Sequence, residues 1–148
     1  MDTIKDNVIE IDSIIRRNAW FDFHLYSYDG YRMIITFSKD LTYYHKLEII
    51  FEDIFYASTF FNELHTDLTK TVIEIPEPKL NKELNLEFEI EEGYQIIIIH
   101  TEDYKNDIYI AAKSLSYNTD TVYYYDRKNL ANNERLADFV QKEKRTTK

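Results

Sequence analysis

The sequence predicts an α+β domain, a largely antiparallel twisted sheet of about six to seven strands with helices at the N- and C-termini, with a β-sandwich or barrel as the alternative. Three observations point there. Several segments of four to eight residues alternate apolar and polar side chains, which is the strand period. Both ends carry apolar residues at helical spacing instead. The connections between most strand-like segments are too short for crossover helices, so neighbouring strands run antiparallel.

The opening segment, Asp2 to Arg17, places Ile4, Val8, Ile11, Ile14 and Ile15 on one helical face, with Asp2 or Thr3 as cap. From Trp20 the period becomes two. Phe21, Phe23 and Leu25 alternate with polar neighbours, Asp29-Gly30 interrupts, and Tyr31, Met33, Ile35 and Phe37 resume the alternation. A three-residue loop of Tyr28, Asp29 and Gly30 aligns Leu25 with Met33, Phe23 with Ile35 and Phe21 with Phe37, keeping the two faces distinct and putting a bulge at Gly30. His45 to Phe55 reads as a third strand, with Leu47, Ile49 and Phe51 inward and Lys46, Glu48 and Glu52 outward.

Tyr56, Phe60, Phe61, Leu64 and Leu68 then fall at helical steps, with Ser58 as cap. Thr71 to Ile75 is a short strand closed by Pro76-Glu77-Pro78. Leu84, Leu86, Phe88 and Ile90 alternate with Asn85, Glu87, Glu89 and Glu91, the pattern of a half-buried strand, and Glu92-Gly93 turns the chain into Tyr94 to His100, apolar on both faces as in a central strand. Asp107 to Tyr117 and Thr121 to Tyr125 read as a hairpin around Asn118-Thr119-Asp120. Leu130, Leu136, Phe139 and Val140 suggest a closing helix capped by Asn129 or Asn132, and residues 142–148 read as a basic, disordered tail. The whole chain, 1–148, reads as one domain.

Composition excludes several classes. There is no cysteine, which removes disulfide scaffolds and cysteine zinc modules, and Gly30 and Gly93 are the only glycines, too few for a phosphate loop or dinucleotide fingerprint. No apolar run approaches the roughly 20 residues of a membrane span, and the N-terminus lacks the pattern of a secretory signal, so a cytoplasmic location and no membrane partner are expected. No cofactor is expected either. The net charge is −9, unevenly spread: residues 1–126 hold 24 acidic against 11 basic side chains, and residues 127–148 hold 3 against 7. Glu48 to Asp107 alone carries 15 carboxylates against Lys70, Lys79, Lys82 and Lys105. Such a surface repels nucleic acid and attracts a basic protein partner, although an acidic solubilising shell accounts for the same numbers.

No HExxH, GxSxG or paired-histidine zinc spacing occurs. His100, Glu102 and Asp103, at the end of the apolar strand, are the candidate hard-cation or general-base cluster, with His24 as a second acid/base group beside Asp22 and Tyr26. His65 with Asp67 suits a helix C-terminus, and His45 has no obvious partner in sequence. For binding, the Glu87, Glu89 and Glu91 row spaces carboxylates about 7 Å apart along a strand, a ladder for a basic groove. Tyr123, Tyr124 and Tyr125 put rings on both faces of one strand, and tyrosine is a favoured recognition residue. A solvated sheet face and ordinary strand tyrosines explain both features equally simply.

A small, acidic, cysteine-free α+β chain with 13 tyrosines and no catalytic motif resembles the immunity proteins of bacterial toxin systems. The segments Trp20-Phe21-Asp22-Phe23-His24, Leu47 to Ile54 and Val122-Tyr123-Tyr124-Tyr125-Asp126 carry that resemblance. It implies a non-enzymatic protein that binds and neutralises a basic toxin, and it assigns no individual residue a role. A small metal-dependent hydrolase using His100, Glu102 or Asp103 and a structural or assembly subunit are the alternative readings.

Overall fold

The computed structural model describes residues 2–146. In chain order the elements are α1 (Asp2–Asn18), β1 (Asp22–Tyr28), β2 (Arg32–Ser38), β3 (Tyr44–His45), β4 (Leu47–Ser58), β5 (Leu64–His65) and β6 (Ile73–Glu74). Then come α2 (Pro78–Glu87), β7 (Gln95–Ile99), β8 (Ile108–Asn118), β9 (Thr121–Tyr123), β10 (Glu134–Leu136) and α3 (Asp138–Thr146). Seven strands form one antiparallel sheet in the order β5-β1-β2-β4-β8-β7-β6, and β10-β9-β3 form a smaller one. This is the expected α+β class with a mainly antiparallel sheet. Among the described residues, no helix is long and apolar enough to cross a membrane.

Helix α1 forms as its spacing predicts, and Ile4, Val8, Ile11, Ile14 and Ile15 are all buried. Ala19 takes a positive φ of 54° and Trp20 N donates to Ile15 O, the bond that closes a helix in a left-handed cap. The apolar stripe lies on the sheet face bearing Phe23, Ile35, Phe37, Ile49, Phe51, Ile97, Ile99 and Ile110, and Phe23 stacks on Phe37 at 4.7 Å. Asp12 reaches from the helix to the edge of the sheet, accepting from Val72 N at 2.7 Å and Ile73 N at 3.2 Å. The other face is covered in two places: α2 sits over β7 and β8, while α3 and the small sheet cover the β1-β2-β4 side.

The first hairpin has a different register. Phe23 faces Phe37 and Leu25 faces Ile35, and the bulge lies at Tyr26 instead of Gly30. Asp29 explains the slip: its carboxylate accepts from Tyr31 N at 2.9 Å and Arg32 N at 2.7 Å, closing the turn one residue later than the face argument places it. The helix expected from Tyr56 to Leu68 does not form. Strand β4 continues to Ser58, and a bulge at Phe55, between Ile54 and Tyr56, shifts its alternation, so a broken strand mimics the helical period.

The strand expected from Leu84 to Ile90 is instead the end of α2 and the turn after it. Glu77 caps the helix, accepting from Lys79 N and Leu80 N, and Pro78 occupies the first turn, where its missing N–H costs nothing. Leu84 is buried while Leu86 is 72% exposed, so an alternation that suits a strand is met by a helix docked along one line. Strand β7 is apolar on both faces because each is covered: Ile97 and Ile99 meet the α1 side, and Ile96 and Ile98 the α2 side. It lies next to the sheet edge, not at its centre. Strands β8 and β9 do not pair as a hairpin; β9 leaves for the small sheet. The closing helix begins only at Asp138 and takes in residues 142–146, which the sequence assigned to a disordered tail; residues 147 and 148 lie outside the described residues.

Candidate functional site

Three groups of polar side chains stand out, and none coincides with the arrangement expected from sequence. The first joins the small sheet to the large one. His45, fully buried, contacts the Tyr124 hydroxyl through Nδ1 at 2.6 Å and Glu48 Oε2 through Nε2 at 2.8 Å. The other Glu48 oxygen accepts from Arg135 at 2.7 Å. Glu48, expected to face solvent, is only 6% exposed because α3 and β10 cover that side of β4. A carboxylate can only accept, so the imidazole donates to Glu48 from Nε2. Burial raises the Glu48 carboxyl, but the hydrogen bond from His45 and the Arg135 charge outweigh it and leave the group below its ordinary value. Burial drives Tyr124 far upward, so its hydroxyl stays a donor.

Tyr124 also stacks on Tyr26 and touches Phe139, and those two rings line a groove of about 670 Å³ under α3 together with His24, Ile34, Ile50 and Arg135. His24 Nε2 is buried there without a hydrogen-bond partner among the described residues, and burial together with nearby His45 lowers its pKa. His24 points away from the acid/base pairing with Asp22 that its sequence neighbourhood suggested: Asp22 lies against His65. Of the other two tyrosines, Tyr123 donates to Glu134 at 2.7 Å with Arg127 over its ring, while Tyr125 is exposed against Tyr43.

The second group gathers the histidines and carboxylates at one end of the sheet. His100, Glu102 and Asp103 do not converge. His100 contacts Glu74 at 2.6 Å and Asp107 at 2.8 Å, Asp103 holds His65 through both its backbone N–H and Nδ1, and Glu102 meets His65 only through the backbone. Nothing in the sequence linked Glu74 or Asp107 to His100, since β6 and the β7-β8 loop meet only when the sheet forms. Burial lowers the His100 pKa, but its two carboxylate partners raise it more, above 6.5. The stability it contributes is therefore complete below pH 6.5 and fades as pH rises through its folded value. Carbon-detected titration of the His100 ring should give a midpoint above 6.5, and His100→Gln should flatten the loss of stability on the alkaline side of that pH. An unshifted midpoint would contradict the two-carboxylate geometry.

Asp22, Glu63 and His65 bring one ligand atom each within 4.8 Å of one another, a spacing that suits a small divalent cation. Charge pairing accounts for the same geometry: the hydrogen bond to Asp103 raises the His65 pKa, and an imidazolium between Asp103 and Asp22 is a self-sufficient ion cluster. Beside it, the loop after β4 presents Phe61, 79% exposed, on a firm base. Phe60 stacks on Tyr104 at 4.1 Å and Asn62 donates to the Tyr104 hydroxyl at 2.9 Å. Sequence reasoning missed Phe61 as a surface residue by placing it on a helix.

The third group is the acidic turn after α2. Glu87 ends the helix, Glu89 holds φ 53° just past the C-cap residue Phe88, and Glu91 and Glu92 border a cavity of about 640 Å³. The three carboxylates expected as a strand ladder therefore crowd one helix end. Compared with protein-family models, curated proteins and solved structures, the chain matches none.

Proposed function

We propose that this chain is a non-enzymatic binding protein that masks a basic protein partner, in the manner of an immunity protein against a toxin. The observation that carries the reading is the Phe61 ledge. A large apolar ring, almost wholly in water, stands on a loop that Asn62, His65, Asp103 and Tyr104 tie to the β7-β8 connection. Holding an aromatic side chain out on a pre-ordered loop lowers the entropy cost of docking, which is how interface anchors work. Exposed Glu63 lies two residues on, and exposed Glu102 and Asp103 bond to His65 at the end of the same loop, so the complementary surface is an apolar socket rimmed by Lys and Arg.

The test is calorimetric titration against the basic proteins encoded by the genes flanking its own. Tight binding at low ionic strength that weakens with salt is expected. Phe61→Ala should weaken it about 30-fold while leaving the melting temperature unchanged. Absence of any complex at low salt would end this reading, as would a complex indifferent to both salt and Phe61.

A further inference from the structure

The cavity beside the acidic turn contains features that ion pairing within the chain does not use. Asn85 Oδ1 is buried and accepts no hydrogen bond among the described residues, although leaving a buried acceptor unpaired costs its full desolvation. The neighbouring carboxamides are satisfied, since Gln95 donates to Asn81 Oδ1 at 3.0 Å and to Ile96 O at 2.9 Å. Helix α2 ends here with no basic residue in its last turn, so the negative end of its dipole meets Glu87 and Glu89 instead of a cation. Glu91 and Glu92 stand exposed at the mouth. Tyr94 forms an aromatic wall backed by Phe55 at 5.0 Å, and the Lys113 ammonium already lies 5.2 Å from its ring centre. That lysine is itself neutralised by Asp53 at 3.5 Å. An unused acceptor, a helix C-terminus with no cation against its dipole, two rim carboxylates and an aromatic face all favour the same visitor, a planar cation rich in N–H donors.

We infer that this cavity receives an arginine side chain of the basic partner, its guanidinium donating to Asn85 and to the Glu91 and Glu92 carboxylates. The inference rests on the binding reading above and names the chemistry the partner must present. It is also compatible with the Phe61 ledge in a single complex. The cavity opens at the start of β7 and the ledge flanks its end, five residues or about 17 Å of strand away, within a standard interface.

The pocket can be tested without the partner. In amide-detected NMR of the full chain, N-acetyl-argininamide should produce saturable shifts in the Asn85 carboxamide and the backbone of residues 90–95. Its neutral isostere N-acetyl-citrullinamide should produce none. Glu91→Gln combined with Glu92→Gln, both at exposed positions and so compatible with folding, should weaken the arginine probe about tenfold. Asn85→Leu, which fills the site with an apolar group, should abolish the shifts while its melting curve reports that the chain is folded. Equal response to citrulline, no localised shift at tens of millimolar probe, or an unchanged affinity in the double variant would each overturn the inference. A partner complex that forms normally with the double variant would remove the pocket and leave the binding reading standing; a pocket that takes arginine with no partner complex would do the reverse.

Discussion

Glu48→Ala should lower the unfolding free energy by about 3–5 kcal/mol, because it strands a buried donor. Glu48 is the junction of the two sheets: one oxygen meets His45 Nε2 and the other Arg135. Arg135 is partly exposed and can regain water when the carboxylate goes, and it retains Asp120 at 3.6 Å. His45 has no such recourse, since its side chain is wholly enclosed. Glu48→Gln keeps the shape and one acceptor oxygen, so its cost should be smaller, about 1–2 kcal/mol. Chemical denaturation of the two variants checks the order, and equal losses would show that shape rather than charge holds the junction. The same residue predicts an acid limb. Its folded pKa lies below the ordinary 4.5, so its contribution is present above that pH and disappears as pH falls through the folded value. In Glu48→Gln the stability curve below pH 4.5 should be flatter than in the parent chain.

Phe51→Ala should cost about 3–5 kcal/mol and lower the melting temperature by about 10 °C. Phe51 is fully buried in β4, between Met33 on β2 and Leu115 on β8 and beneath α1. The ladder bonds on both sides hold the neighbouring strands at fixed spacing, so the surroundings cannot close over the lost ring. Phe51→Leu should recover most of the loss. A small effect from the alanine variant, read by calorimetry, would mean that α1 settles onto the sheet and that the helix-sheet packing is looser than these contacts indicate.

The residues that behaved as the sequence implied share one property: their signal is local and undisturbed. Ile4, Val8, Ile11, Ile14 and Ile15 need only a regular helix to fall on one face. Met33, Ile35 and Phe37 need only an unbroken strand. The misplaced segments each contain a local device that outweighs periodicity. Asp29 reset a turn, the bulge at Phe55 broke an alternation, and Glu77 with Pro78 started a helix in what reads as a strand. The acidic excess of the central region was plain from the sequence, but its form was not. Glu87, Glu89 and Glu91 were legible as carboxylates and illegible as a helix end.

The sequence alone determined the α+β class and a strongly acidic middle, without cysteine, glycine-rich loops or the local catalytic motifs sought, because composition and short-range period carry that information directly. Only the tertiary structure decided which charges meet. His45 with Glu48 and Tyr124, His100 with Glu74 and Asp107, and Asn85 with the Glu91 rim join elements that are distant or differently oriented until the sheet and its covering helices assemble. Hydrogen bonds and ion pairs act over a few ångströms, and in a sheet where β5 meets β1 and β4 meets β8 far along the chain, that proximity is created by strand order.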